Sequence, residues 1–305
     1  MKTKFLFWRR TIGDLVVDNF SEKPEYLAFF AKCNEAFDFR IANNPESYLG
    51  KGIFKSVYKY EDWKIVPAEE TWTADVVYQR QKQATETWDY VVPIVNTPEW
   101  QKWGVDKWNQ YELLRQFMPK TLIVKSDEDL LVQLQHIATG KAVAKPKRGQ
   151  KGEHVVVFGK SNPPKLNQEI LEKKGYILQE YVDTNIDVPG IVRGTIHDVK
   201  LITIGDHVFA NLRTPEPGKD FCTFDSQYSE ISLHLLPASV LELHQKVRRI
   251  IEEKFPKSLY TVDVGMTKDG PVVFELNGHT AFPYLHFAYT NDFFDAFIEF
   301  LRSLR

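Results

Sequence analysis

The sequence predicts an α+β protein whose first third is an α/β unit, and three observations support this fold class. Over residues 1–96, segments with the twofold period of strands alternate with segments of helical spacing. The remainder contains two pairs of alternating segments joined by short turn sequences, which indicates antiparallel hairpins. A long helical pattern separates these hairpins, so the chain is not a simple βαβ array.

The first unit, residues 1–96, begins with an apolar strand at 5–8. Residues 24–33 then carry apolar side chains at helical spacing, and residues 37–41 alternate as strand residues do. Later, more buried strands are predicted at 76–78 and 91–95. We expect a small α/β domain here.

The second unit, residues 97–182, contains helices and strands in a clearer pattern. It begins with a helix near 106–118, followed by a helix that Ser126 caps, with Asp129 at the capping-box position and Gly140 at its end. The elements that follow are strands at 141–146 and 154–159, a helix at 164–174 that Gly175 ends, and a strand at 176–181.

The third unit, residues 183–305, contains the two hairpins, at about 198–213 and 260–277. Between them we predict a helix over 239–255, with Ser239 and Glu242 as a capping box and Pro256 beyond its end. An amphipathic pattern over 291–304 predicts a terminal helix.

Length and composition restrict the classes of function. A chain of 305 residues with 13% aromatic residues is long enough to fold without disulfides or a metal ion. Its 39 basic and 41 acidic residues give a net charge of −2, which offers no footprint for nucleic acid or an anionic membrane. Two distant cysteines suggest a reducing compartment, and no apolar run approaches a membrane span or a signal segment. We therefore expect a cytoplasmic protein without nucleic-acid or membrane partners.

The hairpin at 260–277 places two carboxylates opposite each other. If residues 268–270 form a three-residue loop, Val262 faces Leu276 and Val264 faces Phe274, which makes one face of the hairpin entirely apolar. The same register pairs Asp263 with Glu275 on the second face, with Asn277 one step along the strand. A two-residue turn would scramble both faces, so we prefer the odd loop.

The paired carboxylates indicate a metal site. Like charges directly across a sheet are destabilising, and a divalent cation between them reverses this effect. Asp263, Glu275 and the amide of Asn277 supply the hard oxygen ligands that suit Mg²⁺. An ordinary strand with a solvated polar face is the alternative.

The basic segment 145–152 joins two predicted strands. Its four cations, Lys145, Lys147, Arg148 and Lys151, accompany Gly149 and Gly152, so side chains and backbone amides can close over phosphates. Neither a Walker A motif nor the glycine fingerprint of a dinucleotide fold is present. A solvated basic hairpin tip explains this segment equally well.

The hairpin at 198–213 gathers further charges. A two-residue turn at Gly205-Asp206 places Asp198 opposite Arg213 and Lys200 opposite Asn211. Two cations beside a carboxylate suit a site for anionic oxygens, and a cross-strand ion pair on a wet surface is the alternative.

These segments, taken in order, resemble the ATP-grasp superfamily, specifically its carboxylate–amine ligases, among which glutamate-adding ligases and glutathione synthetases are nearest in size. The resemblance covers about residues 97–280. The matching stretches are Asp106-Lys107, Val143–Pro146 with its glycine-bearing loop, Leu178-Gln179-Glu180-Tyr181-Val182, Asp198-Val199-Lys200, Arg213, Val262-Asp263-Val264 and Glu275-Leu276-Asn277. It implies an ATP-grasp fold with a pre-ATP-grasp domain at 1–96, a small subdomain at 97–182 and a large subdomain at 183–305.

The resemblance also implies roles for residues. The phosphates of ATP would be held by Lys107 and Lys145 and covered by a loop containing Lys147, Arg148, Gly149 and Gly152. Adenine would lie against the hinge of Gln179, Glu180, Tyr181 and Val182, and ribose near Asp198. The transferred phosphoryl group would be stabilised by Lys200 and Arg213. The ligands of Mg²⁺, usually two ions and with Mn²⁺ as a substitute, would be Asp263, Glu275 and Asn277.

The implied reaction is an ADP-forming ligation of a carboxylate to an amine through an acyl phosphate. Its substrates would be a small carboxylate and a small amine, or a peptide, and the chain is compatible with a homo-oligomer. One alternative is a kinase that phosphorylates a small hydroxyl substrate in the same cleft. Another is a non-catalytic nucleotide-binding protein, although a scaffold has no need of paired carboxylates facing cations.

Three residues are candidates for substrate binding. Arg80 and Arg193 can anchor carboxylates through a bidentate guanidinium. Many relatives have a small-Pro-Gly turn after the metal-binding asparagine, where this chain has Gly278–Pro283. His279 in that segment can orient an acceptor amine or act as its base, and a purely structural histidine is the alternative.

Overall fold

The computed structural model describes residues 2–9, 24–43, 45–80, 88–149, 152–223, 225–279 and 282–304. Three large sheets follow one another along the chain, and we refer to them as the N-terminal, middle and C-terminal sheets. Each sheet has helices packed on its apolar side chains. Among the described ranges, no helix has the length and apolar character needed to cross a bilayer.

The N-terminal sheet has six strands in the order β6-β5-β2-β1-β8-β9, of which β2, β1, β8 and β9 are parallel. These are β1 (Lys4–Arg9), β2 (Asp38–Asn43), β5 (Tyr58–Glu61), β6 (Lys64–Pro67), β8 (Val76–Gln79) and β9 (Ile94–Val95). The predicted strand at 91–95 is therefore shorter than expected, because Val91 is exposed and Pro93, which has no N–H, precedes the paired residues.

Both faces of the N-terminal sheet are covered, because successive strand residues point to opposite sides. Phe5 and Phe7 pack on two helices, α1 (Pro24–Ala36) and the last helix, α7 (Thr290–Arg302). Leu6 and Trp8 pack on the other side, against a small sheet of β3 (Tyr48–Gly50), β4 (Ile53–Phe54) and β7 (Trp72–Thr73), which a 3₁₀ turn at Pro45–Ser47 precedes.

Two helices rather than one lie between the first two sheets. They are α2 (Pro98–Gly104), which Thr97 caps, and α3 (Lys107–Leu114), which Asp106 caps. The helix predicted near 106–118 begins where expected, at its Asp106 cap, but ends at Leu114, and α2 was not predicted. Thr97 before Pro98 is an N-terminal signal for the earlier helix.

The middle sheet is antiparallel, in the order β10-β13-β11-β12. Its strands are β10 (Thr121–Val124), β11 (Lys141–Pro146), β12 (Val156–Gly159) and β13 (Tyr176–Glu180), with α4 (Asp127–Leu134) and α5 (Gln168–Lys174) packed on it. The predicted capping by Ser126 is confirmed, since its Oγ accepts from the Asp129 N–H at 3.1 Å. Gly140 does not end that helix, which stops at Leu134.

The C-terminal sheet has five antiparallel strands in the order β18-β17-β16-β19-β20. They are β16 (Asp198–Ile204), β17 (His207–Thr214), β18 (Gln227–Glu230), β19 (Tyr260–Thr267) and β20 (Gly270–Asn277), and a separate pair, β14 (Ile186–Val188) and β15 (Val192–Thr195), precedes them. A 3₁₀ turn at Leu233–Leu235 leads into α6 (Ala238–Lys254). The predicted capping box was wrong: the N-cap is Pro237, without a side-chain cap, so Ser239 lies inside the helix.

One face of the C-terminal sheet is mainly apolar, and the other is divided. Val199 and Leu201 pack against α6 on the first face. On the second face Ile202 and Ile204 pack against α7 in the core of the N-terminal sheet. Lys200 shares the second face with Ile202 because residues two apart point the same way. The uncovered half of this face therefore carries the charged residues.

The hairpin of β19 and β20 contains the predicted carboxylate pair, but its turn and register differ from the prediction. Asp263 pairs with Glu275 as expected, whereas the turn contains two residues, because Thr267 pairs with Gly270. Val264 faces Val273, and a bulge at this point compensates for the shorter turn. The predicted three-residue loop and the pairing of Val264 with Phe274 were both wrong.

Candidate active site

The charged half of the C-terminal sheet forms the candidate active site. Asp263 on β19 lies between Lys200 on β16 and Glu275 on β20, as direct cross-strand neighbours. Asp198 on β16 faces Arg213 on β17. Antiparallel pairing with a period of two thus brings five charged side chains from four strands to one face.

Asp263 and Asp198 share one cation, Arg213, and Asp263 has a second, Lys200. Lys200 Nζ donates to both oxygens of Asp263, at 2.6 and 2.8 Å. Arg213 donates from Nε and Nη2 to Asp198, at 2.6 and 2.7 Å, and from Nη2 to Asp263 at 2.9 Å. The two carboxylates are only 4–5% exposed, so these pairs supply the compensation that buried charges require.

The two carboxyl groups differ in pKa because their cations are unequally divided. Burial is the largest influence on Asp263, but the attraction of Lys200 and Arg213 outweighs it, and the pKa of Asp263 is lowered. Burial raises the pKa of Asp198, and the nearby charge of Asp263 adds to this effect, while Arg213 opposes it. Asp263 is therefore the more firmly ionised of the two.

Glu275 is held by a lysine from outside the sheet. Lys107, in the first turn of α3, places Nζ 3.0 Å from Glu275 Oε1 and donates to the Gly149 carbonyl at 3.0 Å. The start of α3 is also tied to the basic loop, since Lys107 N–H donates to the Lys147 carbonyl and Arg148 Nε donates to Asp106. One lysine therefore joins the phosphate-loop candidate to the carboxylate pair.

Lys145 approaches the same carboxylates from the middle sheet. Its Nζ donates to Gln179 Oε1 at 2.9 Å, and Gln179 Nε2 donates to Thr121 Oγ1 at 2.8 Å. Burial lowers the pKa of Lys145 to about 8, and Lys107 adds to this shift, whereas Glu275 opposes it. A buried lysine with a depressed pKa beside a carboxylate site is typical of functional centres.

Two polar residues that the sequence patterns did not reveal hold the frame of the site. Gln110 in α3 donates to the Leu276 carbonyl at 3.0 Å and accepts from the Leu276 N–H at 2.9 Å. Asn96 accepts from the Leu259 N–H at 2.7 Å and donates to the carbonyls of Leu259 and Gly278. Both side chains are buried. A buried amide must have hydrogen-bond partners, which would have marked these residues as structural supports, but the sequence alone does not show that they are buried.

Solved structures with the same arrangement of elements cover nearly the whole chain. D-cycloserine synthetase DcsG aligns over 99% of this chain and 100% of its own, with a TM-score of 0.63 and 14% identity. D-alanyl-alanine synthetase A from Vibrio cholerae aligns over 100% and 98%, with a TM-score of 0.62 and 13% identity. The ATP-grasp ligase PsnB, complexed with a minimal precursor, aligns over 98% of each chain, with a TM-score of 0.59 and 15% identity. The chain has the ATP-grasp fold. No family model and no curated sequence matches it.

The basic loop of this ATP-grasp fold lies close to the C-terminal sheet. A Cβ added to Gly152, whose φ is +75°, would lie 3.1 Å from Thr223 Cγ2 and 3.3 Å from the Phe221 ring. The loop thus passes against the segment after β17, and its backbone needs glycine there. Residues 150 and 151 of the predicted loop lie outside the described residues.

The predicted hinge residues lie at the end of β13 and directly after it, and their contacts differ from one another. Gln179 supports Lys145, as described above. Glu180 Oε1 accepts from the Ala138 N–H at 2.9 Å. Tyr181 and Val182 are half-buried, and Lys141 Nζ lies 5.2 Å from the centre of the Tyr181 ring. Asp198, predicted near the ribose, has both carboxylate oxygens bonded to Arg213.

The three predicted substrate residues are separated. Arg193 is exposed on β15 and lines a recess of about 460 Å³ formed by residues 187–193. Arg80 follows β8 and lies against the rings of Tyr26 and Phe282, at 5.0 and 5.2 Å. His279 is half-buried two residues after Asn277. Within the described ranges, no hydrogen bond or ion pair joins either arginine to the charged cluster.

The donor set of the cluster fits Mg²⁺ in combination with a nucleotide. No group of three or more acidic, histidine or cysteine side chains converges within the described residues, so protein groups alone do not form a metal cage. Asp263 and Glu275 offer two carboxylates, and the Asn277 amide lies beside them, with Nδ2 3.4 Å from Asp263. Mg²⁺ is commonly held by one or two carboxylates, with phosphate oxygens and water as its other ligands.

Proposed function

We propose that this protein is an ATP- and Mg²⁺-dependent ligase that joins a carboxylate to an amine. The observation that carries this proposal is the cross-strand pair Asp263–Glu275 with Lys200, Lys107 and Lys145 around it. Phosphoryl transfer needs positioning and neutralisation of charge more than a protein nucleophile. Paired carboxylates among cations supply both requirements.

The nucleotide would lie between the middle and C-terminal sheets. We assign its phosphates to Lys107 and Lys145, covered by the loop 147–152, and its adenine to the backbone of the hinge 179–182. The bulge in β20 adds a surface that the sequence did not predict, because it lays the Phe274 ring over Gly265 on the charged face. An aromatic ring beside the metal ligands suits the face of a nucleobase.

The metal would be held by Asp263, Glu275 and Asn277, and when bound it would polarise the phosphate oxygens and offset their charge. Lys200 and Arg213 would neutralise the phosphoryl group during its transfer. Because Asp198 binds Arg213 through two parallel hydrogen bonds, we assign it the orientation of that guanidinium rather than a contact to ribose.

The reaction would proceed in two steps. A carboxylate oxygen of the first substrate attacks the γ-phosphorus of ATP, the bond to the β,γ-bridging oxygen breaks, and an acyl phosphate and ADP form. An amine nitrogen then attacks the acyl carbon, phosphate leaves, and the amine loses a proton to give the amide. Closure of the loop 147–152 would exclude the water that hydrolyses the acyl phosphate. His279 is our candidate for accepting the proton of the amine.

Structural relatives support this class of reaction without fixing the substrates. PsnB is described as a ligase and is also seen with a variant precursor, Mg and ADP, and D-alanyl-alanine synthetase and D-cycloserine synthetase are named for small products. The acceptor could thus be a small molecule or a peptide. We further propose a three-part division at 1–96, 97–182 and 183–305, and a cytoplasmic location, in keeping with the unpaired Cys33 and Cys222.

An ADP-release screen over pairs of carboxylates and amines, with mass spectrometry of the products, tests the proposal. We expect ADP, phosphate and an amide in equal amounts for at least one pair. A stable phosphorylated product formed without an amine would favour the kinase instead. ATP binding without ADP release for any pair would contradict the ligase and favour a nucleotide-binding protein.

A further inference from the structure

Two arginines stand side by side where parallel strands of the N-terminal sheet end. Arg9 is the last residue of β1 and Arg80 directly follows β8, and Trp8 pairs with Gln79 in these neighbouring strands. The Arg80 N–H donates to the Trp8 carbonyl at 2.8 Å, which extends the pairing by one step. Ligands of open sheets bind beyond the carboxyl ends of parallel strands, so the topology places a ligand beside these arginines.

The guanidinium of Arg80 is arranged for a ligand. It lies over the rings of Tyr26 and Phe282, whose centroids are 4.8 Å apart. Its Nη1 is buried and has no hydrogen-bond partner in the part of the chain that the structure describes. A buried charged donor without an acceptor is energetically costly. We therefore expect Nη1 of Arg80 to donate to an acceptor that the described residues do not provide.

A second cation, Arg9, lies beside this guanidinium. Arg9 is partly buried, and the pKa of its guanidinium is lowered, mainly by burial, with Tyr26 opposing the shift and the charge of Arg80 adding to it. Two like charges held close together repel each other, and an anion between them reverses the sign of the interaction. A guanidinium presents its donors as a planar fork that matches a carboxylate.

This edge of the sheet is joined to the candidate active site. Asn96, which follows β9 on the same edge, donates to the carbonyl of Gly278, the residue after the metal-ligand candidate Asn277. Phe282, which covers Arg80, belongs to the same segment of chain. Asn96 and Phe282 therefore connect the edge of the sheet at Arg80 to the chain that follows the metal-ligand candidate.

We propose that Arg80, with Arg9 beside it, binds a carboxylate of the amine substrate that the reaction does not consume. The acceptor would then be an amino acid, or a peptide with a free carboxyl terminus, rather than a simple amine. This inference rests on the proposed ligase reaction and specifies its second substrate. The face of the Arg80 guanidinium stacks on the rings of Tyr26 and Phe282, and its edge can donate to the carboxylate at the same time.

Matched acceptors test the inference. ADP release is measured for amino acids and for the same amino acids as carboxamides, with the wild-type protein and with Arg80→Gln, Arg80→Lys and the control Arg302→Gln. Arg302 is a suitable control because its guanidinium also lies over a phenylalanine ring of the same core, Phe37, at 5.6 Å. We expect Arg80→Gln to raise the KM for the free acids about 10- to 100-fold, with Arg80→Lys between it and wild type. The KM for ATP and for the carboxamides should not change.

Equal losses for acids and carboxamides, or equal effects of Arg80→Gln and Arg302→Gln, would overturn the inference. Calorimetric titration of the amino-acid panel onto the protein with ADP and Mg²⁺ provides a readout that does not require turnover. Arg80-dependent binding of an amino acid would support the subsite even if no ADP were released. The absence of ADP release would in that case refute the ligase reaction and not the subsite. Arg80-dependent binding of inorganic phosphate alone would assign the subsite to phosphate and refute our inference.

Discussion

Replacing Arg213 with methionine removes the cation that two buried carboxylates share. The side chain makes three hydrogen bonds of 2.6–2.9 Å to Asp198 and Asp263 and is 8% exposed. Removing one partner of a buried ion pair costs about 3–5 kcal/mol, because the remaining charge stays buried without compensation. Asp263 keeps Lys200, so most of this cost falls on Asp198. At about 2–4 °C per kcal/mol for a protein of this size, Tm should fall by about 6–20 °C.

Scanning calorimetry at several pH values measures this effect. The control is Arg248→Met, which removes an arginine with two ion pairs to more exposed carboxylates, Asp206 and Glu252, worth no more than about 1 kcal/mol. Without Arg213 the pKa of Asp198 should rise further, and a carboxyl group with a raised pKa favours the folded state at low pH. The deficit should therefore shrink as the pH falls from about 7 to about 5, and Asp198→Asn should restore most of the loss. A deficit that matched the control, or that did not change with pH, would refute the reasoning.

Three other substitutions test separate parts of the site. Glu275→Ala should abolish ADP release while the protein remains folded, and undiminished release would contradict the metal assignment. The pKa of Lys145 is lowered from about 10.5 to about 8, so the free energy of unfolding of the wild-type protein should rise by up to about 3 kcal/mol between pH 8 and pH 10.5. Denaturant titrations measure this rise, and Lys145→Met should lack it. Parallel pH profiles of the two proteins would disprove the assignment of this effect to Lys145. Gly265→Ala should displace the Phe274 ring and weaken ATP binding about tenfold, whereas Gly159→Ala, where a Cβ meets nothing within 4 Å, should not. Equal ATP affinities in the two variants would count against the adenine surface.

The parts of the site that were predicted correctly depend on short-range pairing. Asp198 faces Arg213 and Lys200 faces Asn211, because a tight turn at Gly205-Asp206 fixes the register of the hairpin. Gly205 has a φ of +56°, which glycine adopts without strain. Alternation of apolar and charged residues over a few positions is enough to determine such a face.

The bulge in β20 shows why the rest of the hairpin was predicted wrongly. A three-residue loop and a two-residue turn with one bulge both place Asp263 opposite Glu275, so the charged pair does not distinguish them. The two arrangements differ in every pair between this point and the turn, and the bulge requires space for the Phe274 ring above Gly265. Glycine opposite an aromatic residue was the available signal.

Contacts between distant segments were beyond the reach of local patterns. Glu180 is close in sequence to the predicted hinge, but its carboxylate binds the backbone of Ala138, and Asn96 joins the N-terminal sheet to residues 259 and 278. Such partners depend on how the sheets pack together, and the periodicity of a single helix or strand does not predict them.

The ion pairs of Asp263 with Lys200 and of Glu275 with Lys107 mean that the protein supplies counter-ions of its own to the carboxylates that we assign to the metal. A free divalent ion must compete with ammonium groups that are already in place. The phosphates of a nucleotide, in contrast, attract those ammonium groups and bring the ion with them. Metal binding at this face should therefore require the nucleotide, and Mg²⁺ without nucleotide should bind only weakly.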